Sequence, residues 1–199
     1  MKILIACEES QTVCKAFREI GHEAYSCDIQ EASGGHPEWH IQGDAVTEAY
    51  SGKYDMMIAH PPCTYLSVAG AGSLYPKGVL NEERYKSGLA AKDFFLKLYN
   101  APIKYVVIEN PLHFKIFDLP KYSQIIHPCY FGEPFMKRTC LWIKGLPNLK
   151  HTDVVKGVPT SKAKWYNGGG KQRQKNRSKF WSGIANAMAD QWGSYTQGK

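Results

Sequence analysis

The 199-residue chain, 43% apolar and 22% charged, has the make-up of one globular domain with a sizeable core. No stretch approaches the roughly 20 consecutive apolar residues needed to cross a bilayer, which excludes a membrane-spanning helix. The formal charge of +7 is uneven: residues 151–199 hold nine bases against Asp153 and Asp190, so residues 1–150 are neutral. A concentrated positive field of this kind favours a polyanionic partner, nucleic acid being the usual one.

The N-terminus is too short for a signal peptide and reads as a first buried strand, Lys2–Ala6, so a cytoplasmic protein is expected. Ser10 can cap a helix carrying Val13, Phe17 and Ile20 on one face and stopped by Gly21. His22–Ile29 is predicted as a second strand, and Tyr54–Ala59 as another that runs into His60-Pro61-Pro62-Cys63. Glu82–Tyr99 reads as a helix with Leu89, Phe94, Phe95 and Leu98 as its apolar positions. Lys104–Ile108 is a strand ending in Glu109-Asn110-Pro111, and Gln124–Phe131 and Thr139–Lys144 are two more, joined by a turn at Gly132-Glu133-Pro134. This alternation predicts an α/β domain with a mainly parallel sheet, whose ligands collect at the carboxyl ends of the strands. Residues 151–179 break the rhythm as a basic, glycine-rich loop, and Ser178–Trp192 closes the chain as an apolar helix built on Phe180, Ile184, Ala185 and Met188.

The six cysteines, Cys7, Cys14, Cys27, Cys63, Cys129 and Cys140, form no C-x-x-C pair and are expected as free thiols. Cys27, His36 and His40 lack recognised ligand spacing, so no metal is expected. Two polar clusters follow apolar strands. Asp55–Ser67 is a hydrophobic strand ending in Pro-Pro-Cys with a serine four residues on; the two prolines stiffen the turn and help aim the thiol. Val106–Pro111 is a strand ending in Glu-Asn. Either motif alone is an ordinary turn, but the two in this order, one helix apart, point to a nucleophile and an acid on neighbouring loops.

These segments resemble the signatures of the cytosine-C5 DNA methyltransferase family. The resemblance implies a Rossmann-like, class I S-adenosylmethionine-dependent fold, with an antiparallel final strand in the sheet. It implies Cys63 as the nucleophile that adds to carbon 6 of cytosine, and Glu109 as the acid that steadies ring nitrogen 3. Gly132–Arg138 resembles the turn before a Gln-x-Arg-x-Arg element, and only Arg138 carries over cleanly, since Met136 and Cys140 stand in the other places. Arg138 is then a contact to base or phosphate, or else a solvated strand-edge charge. Gly183-Ile184-Ala185-Asn186 resembles the closing segment, with Asn186 near the cofactor.

The same resemblance places S-adenosylmethionine against Glu8, Ser10, Asp28, Ile29, Asp44, Ala45, Pro62 and Asn186. Asp28 would hold the ribose hydroxyls and Asp44 the adenine amino group, unless both are solvated turn aspartates. The loop Cys7-Glu8-Glu9-Ser10 departs from the family in having no glycine. The region between Leu149 and Ser178 is much shorter than the family's target-recognition domain, whose place the basic loop 151–179 takes within a single domain, 1–199. Ser67, Lys137, Lys164, Trp165, Lys171, Arg173, Lys175 and Arg177 would contact double- or single-stranded DNA through phosphates and stacking, so loose sequence specificity is expected. Small members of this kind resemble phage-encoded enzymes, which implies genome modification against host restriction, in the host cytoplasm. Amino-group methylation, action on RNA or a free cytidine nucleotide, and an inactive nucleic-acid-binding relative stay open, as do the transferred group and the oligomeric state.

Overall fold

The computed structural model describes residues 1–162 and 180–197. Its strands are β1 (Lys2–Ala6), β2 (Glu23–Asp28), β3 (His40–Gln42), β4 (Met56–Ala59), β5 (Tyr105–Pro111), β6 (Gln124–Ile126), β7 (Phe135–Met136), β8 (Thr139–Lys144) and β9 (Val158–Pro159). Its helices are α1 (Thr12–Glu19), α2 (Ala45–Ala49), α3 (Ala71–Leu74), α4 (Glu82–Tyr99), α5 (Ser182–Met188) and α6 (Ser194–Gln197). Among the described residues a seven-stranded sheet runs in the order β3-β2-β1-β4-β5-β8-β6. Every pairing in it is parallel except those of β8, which is antiparallel to both neighbours. A small parallel pair, β7 with β9, stands apart. The fold is thus the expected α/β one: doubly wound, Rossmann-like and mainly parallel, with an antiparallel strand. No helix among the described residues is long and apolar enough to cross a membrane.

The central strands are buried on both faces, which is why they read as continuous apolar runs. Ile3, Ile5, Met56, Ile58 and Val107 join Val13 and Phe17 of α1 and Ile184 and Met188 of α5 on one side. Leu4, Ala6, Met57, Ala59, Val106 and Ile108 join Phe95 and Leu98 of α4 and Trp142 of β8 on the other. Helices therefore cover both faces and leave the strand ends to the loops.

Several elements differ from the sequence expectation. The strand expected over 124–131 stops at Ile126, because Pro128 has no N–H for the ladder and instead opens a 3-10 turn. The closing helix begins only at Ser182 and passes into a π-helical turn, Ala189–Gly193. Gly183 is required there, since a Cβ would collide with the carbonyl oxygen of Phe131. On α4, Leu89 is exposed, and Gly88, Phe95 and Leu98 form the buried positions.

The start of α1 also differs. Ser10 does not cap it; its hydroxyl meets that of Thr12 at 3.2 Å. The helix is entered through Gln11 in a left-handed conformation, and the carboxylate of Glu8 accepts from the backbone N–H groups of Val13 at 2.7 Å and Cys14 at 3.2 Å. An acidic side chain thus satisfies two helix-terminal donors inside the core. Replacing Glu8 with Ala is expected to lower stability by about 1–3 kcal/mol, because both donors are left buried and unsatisfied. Ser10→Ala should stay within about 0.5 kcal/mol of the parent. Urea unfolding midpoints compare them, and a Ser10 loss as large as that of Glu8 would contradict the assignment.

Candidate active site

The parallel register of β4 and β5 sets the site. Ala59 pairs with Ile108, so the residues that follow, His60 and Glu109, leave the sheet at the same height. His60 is anchored through its N–H to the Ala6 carbonyl at 2.9 Å. Its Nδ1 lies 3.3 Å from Glu109 Oε2, and both side chains are only 12% exposed. One residue further along each loop, Asn110 Nδ2 donates to the Pro61 carbonyl at 2.7 Å, with Asn110 almost wholly buried. The His60–Cys63 turn is therefore tied to the end of β5 by two side chains in succession.

The remainder of the loop is tied down as well. Ser67 and Leu66 donate their backbone N–H groups to the Cys63 carbonyl, at 3.0 and 3.2 Å, closing a tight turn on the cysteine. Phe114 N–H donates to the Leu66 carbonyl at 2.9 Å and Val68 N–H to the Leu112 carbonyl at 3.0 Å, so the two loops pair along their length. Leu66 is fully buried as an apolar anchor. From α4, Arg84 donates to the Thr64 carbonyl at 2.7 Å and lays its guanidinium over the Tyr65 ring. Cys63 sits half-buried on this braced turn, beside an exposed Pro62.

Burial pushes the Glu109 carboxyl up, but the His60 hydrogen bond and the positive charge of Lys137 bring it to a net position below the ordinary carboxylate value. Lys137 is thus the cation that bears on Glu109. Arg138 is exposed, and its charge acts on His127 and on Cys140. Cys140 pairs with Asn110 across β5 and β8; burial and the Glu109 charge push its thiol up to about 11. Such a thiol is an inert neighbour. Ser67 is buried, and its hydroxyl accepts from the Ala69 N–H, so it holds its own turn.

The second part of the edge is formed by the ends of β1, β2 and β3. Cys7 follows β1 in a left-handed conformation (φ 59°), the geometry a glycine would otherwise supply, which accounts for a turn built without one. Its thiol is pushed up by burial and then by the charges of Asp28, Cys27 and Asp44, so these groups converge on one place. Asp28 is half-buried, with Oδ1 accepting from Gln30 N–H at 2.9 Å, and Ile29 beside it is 77% exposed. Asp44 caps α2 by accepting from the N–H and hydroxyl of Thr47, at 2.8 and 2.6 Å, with Ala45 buried behind it. Gln11, fully buried, pins the 28–36 loop: its Nε2 donates to the His36 carbonyl at 2.7 Å and its Oε1 accepts from His36 N–H at 3.1 Å.

Of the expected cofactor residues, Asp28, Ile29, Asp44 and Ala45 therefore share one corner of the sheet edge. Glu8 and Ser10 lie in the adjoining loop, but their polar atoms are engaged on α1 and on Thr12. Asn186 is exposed on α5. Lys164, Trp165, Lys171, Arg173, Lys175 and Arg177 lie outside the described residues. Among the described residues no cluster of His, Cys, Asp and Glu could hold a metal ion. A cavity of about 390 Å³ lined by Lys15, Arg18, Glu19, Gly21, His22, His36 and Trp39 contains none of these site groups. The Trp39 ring there is covered by His36 and by Arg18.

Sequence reasoning gave no role to His60, Asn110, Arg84, Gln11 or the αL turn at Cys7. His60 and Asn110 stood inside the motifs, but their partners are 49 residues away in sequence.

No family model matches the chain, and a search of curated proteins finds no match. Among solved structures it is similar to a protein described as a DNA modification methyltransferase encoded within an E. coli prophage (13% identity, 86% of this chain, 56% of that chain, TM-score 0.47). It is also similar to the Entamoeba histolytica methyltransferase EhMeth (16%, 81%, 62%, TM-score 0.48) and to the S. pombe methyltransferase Dnmt2 (12%, 74%, 51%, TM-score 0.44). The chain spans between 51% and 62% of the length of these structures.

Removal of the loop tether is the direct check on the site. Asn110→Ala is expected to cost about 1–3 kcal/mol in urea unfolding, because the Pro61 carbonyl loses its buried donor. It should also change the rate at which Cys63 is alkylated by iodoacetamide. An unchanged rate would mean that Asn110 does not hold the turn.

Proposed function

We propose that this chain is an S-adenosylmethionine-dependent methyltransferase acting on carbon 5 of cytosine in DNA. The observation that carries the reading is the braced turn bearing Cys63, tied through Pro61 and His60 to Asn110 and Glu109 at one sheet edge. Carbon 5 is a poor nucleophile, and covalent addition at carbon 6 is the chemical solution. The Cys63 thiol gives its proton to solvent and its sulfur bonds to carbon 6. The carbon 5–carbon 6 π pair moves between carbons 4 and 5, and the carbon 4–nitrogen 3 π pair moves onto nitrogen 3, which takes a proton from solvent. Carbon 5 becomes enamine-like and takes the methyl group. The carbon 5 proton and the nitrogen 3 proton then pass to solvent, the double bond between carbons 5 and 6 re-forms, and the pair of the sulfur–carbon 6 bond leaves with the Cys63 sulfur.

Glu109 accepts a hydrogen bond from the exocyclic amino group and shares the proton that ring nitrogen 3 takes up as the thiolate adds. Asp28, with Ile29 beside it, and the corner of Asp44 and Ala45 suit a nucleoside-bearing cofactor: a half-buried carboxylate for ribose hydroxyls and an exposed apolar side chain for a base. When bound there, that cofactor supplies the electrophilic sulfonium methyl. Lys137 and Arg138, with the basic run 162–179, supply charge for the phosphate backbone. The target base must leave the duplex or come from a single strand, since carbons 5 and 6 are inaccessible inside the stack.

A second reading keeps the chemistry and changes the carrier to RNA or a free cytidine nucleotide. It is favoured by the short run 150–177, which offers little for reading base edges. Incubation with cofactor and 5-fluorocytosine DNA is expected to trap an adduct on the parent protein. The adduct should be absent from Cys63→Ala and reduced roughly 100-fold in Glu109→Gln. An adduct that persists in Cys63→Ala would end the C5 reading, and trapping on fluorinated RNA or nucleotide alone would move it to the second carrier. Intact-product mass should rise by one methylene per event.

A further inference from the structure

Among the described residues, one imidazole bears on two acids, Glu109 by contact and Glu8 through space. His60 Nδ1 meets Glu109 Oε2 at 3.3 Å, and its positive form also lowers Glu8, the buried carboxyl at the head of α1. The Phe180 ring packs on the imidazole with centroids 4.6 Å apart, and the His60 N–H is held by Ala6. The His60 backbone is therefore held by β1, and its ring by β5 and by the approach to α5. His60 Nε2 is buried with no partner among the described residues. The charged groups that bear on this cluster are Glu8 and, through it, Glu9 on the first loop, Glu109 on β5, and Lys137 before β8.

We propose that His60 is a positioning residue for Glu109: donation from Nδ1–H to Oε2 fixes the rotation of the carboxyl group and leaves its other oxygen to face the base. This rests on the methyltransferase reading of the same site. An ionised carboxylate can only accept, so the hydrogen in the contact sits on Nδ1 of His60. Without that donor, Glu109 is a buried carboxyl whose largest influence is burial, which favours the neutral acid.

The sign follows. A carboxyl depressed in the folded protein adds stability above its unfolded value, and that contribution is lost as pH falls through the folded value. Removing His60 moves the Glu109 titration upward, so the loss begins nearer neutrality. It also changes the charge presented to the cytosine edge.

The test uses the full chain labelled with ¹³C at glutamate side chains, with the Glu109 carboxyl signal assigned by Glu109→Gln. In His60→Phe the Glu109 titration is expected to move up by about one pH unit or more. In His60→Gln, whose amide can donate to Oε2, it should move less. Turnover at neutral pH should fall roughly 10- to 100-fold in His60→Phe, with a displaced acidic limb of the pH profile, and recover substantially in His60→Gln. An identical Glu109 titration in all three proteins would overturn the proposal, as would equal losses of turnover and identical pH profiles in the two variants. If Glu109 shifts as expected but the parent traps no fluorocytosine, the pairing stands and the methyltransferase reading falls.

Discussion

Because Ala59 pairs with Ile108 in a parallel ladder, the chains leaving β4 and β5 emerge side by side, and everything proposed for the site depends on that alignment. Parallel strands need a long crossover, and here it contains α4, whose Phe95 and Leu98 are buried against the sheet. The same crossover carries Arg84 back to the Thr64 carbonyl. The helix that makes the parallel pairing possible therefore also braces the cysteine loop. A one-residue slip of β5 would turn its side chains to the opposite face and remove Glu109 and Asn110 from the loop they hold.

The other half of the edge solves a different problem. A nucleotide-binding α/β fold commonly uses a glycine-rich turn after its first strand, leaving the helix N-terminus open to a ligand. Here Cys7 and Gln11 both take left-handed conformations without being glycine, and Glu8 fills the N-terminal turn of α1 from within. Conformations of this kind in L-residues persist only where surrounding bonds over-determine them. Those bonds are present: Glu8 N–H to the Cys27 carbonyl, Ser33 N–H to the Glu9 carbonyl, and Gln11 on His36. The helix terminus is closed to a ligand, which shifts any cofactor-binding role toward Asp28 and Asp44 at the ends of the next strands.

Much of the fold was legible in sequence because its signals are local. The bounds of α4 and β8 match the expected Glu82–Tyr99 and Thr139–Lys144, since Asn81 supplies a cap and the β8 run is bounded by a turn. The early end of β6 was also written locally, in Pro128. The entry to α1 was not legible: Ser10 has the preferred capping chemistry, yet Glu8 wins because two αL residues fold the loop back over the helix. Cys63 and Glu109 stood out as polar ends of apolar strands. The side chains that bind those ends together did not, because His60 and Asn110 acquire meaning only when strands 49 residues apart are paired. Arg138 drew attention by motif, whereas Lys137 is the residue whose charge reaches Glu109.

The balance of charge explains why two buried acids near one imidazole end up on opposite sides of the ordinary carboxylate value. Glu8 is dominated by burial; it feels His60 only through space, and its two backbone donors do not compensate. Glu109 suffers the same burial but has the imidazole in direct contact and Lys137 in reach. Negative charge is thus favoured at the end of β5 and disfavoured at the head of α1. A thiolate forming at Cys63 adds a second negative charge to that edge, which an unbalanced carboxylate would oppose. With His60 and Lys137 already set against Glu109, the edge can accept that charge. In the proposed mechanism, the His60 donor and the Lys137 cation beside the acid are therefore as much a condition of the cysteine chemistry as the acid itself.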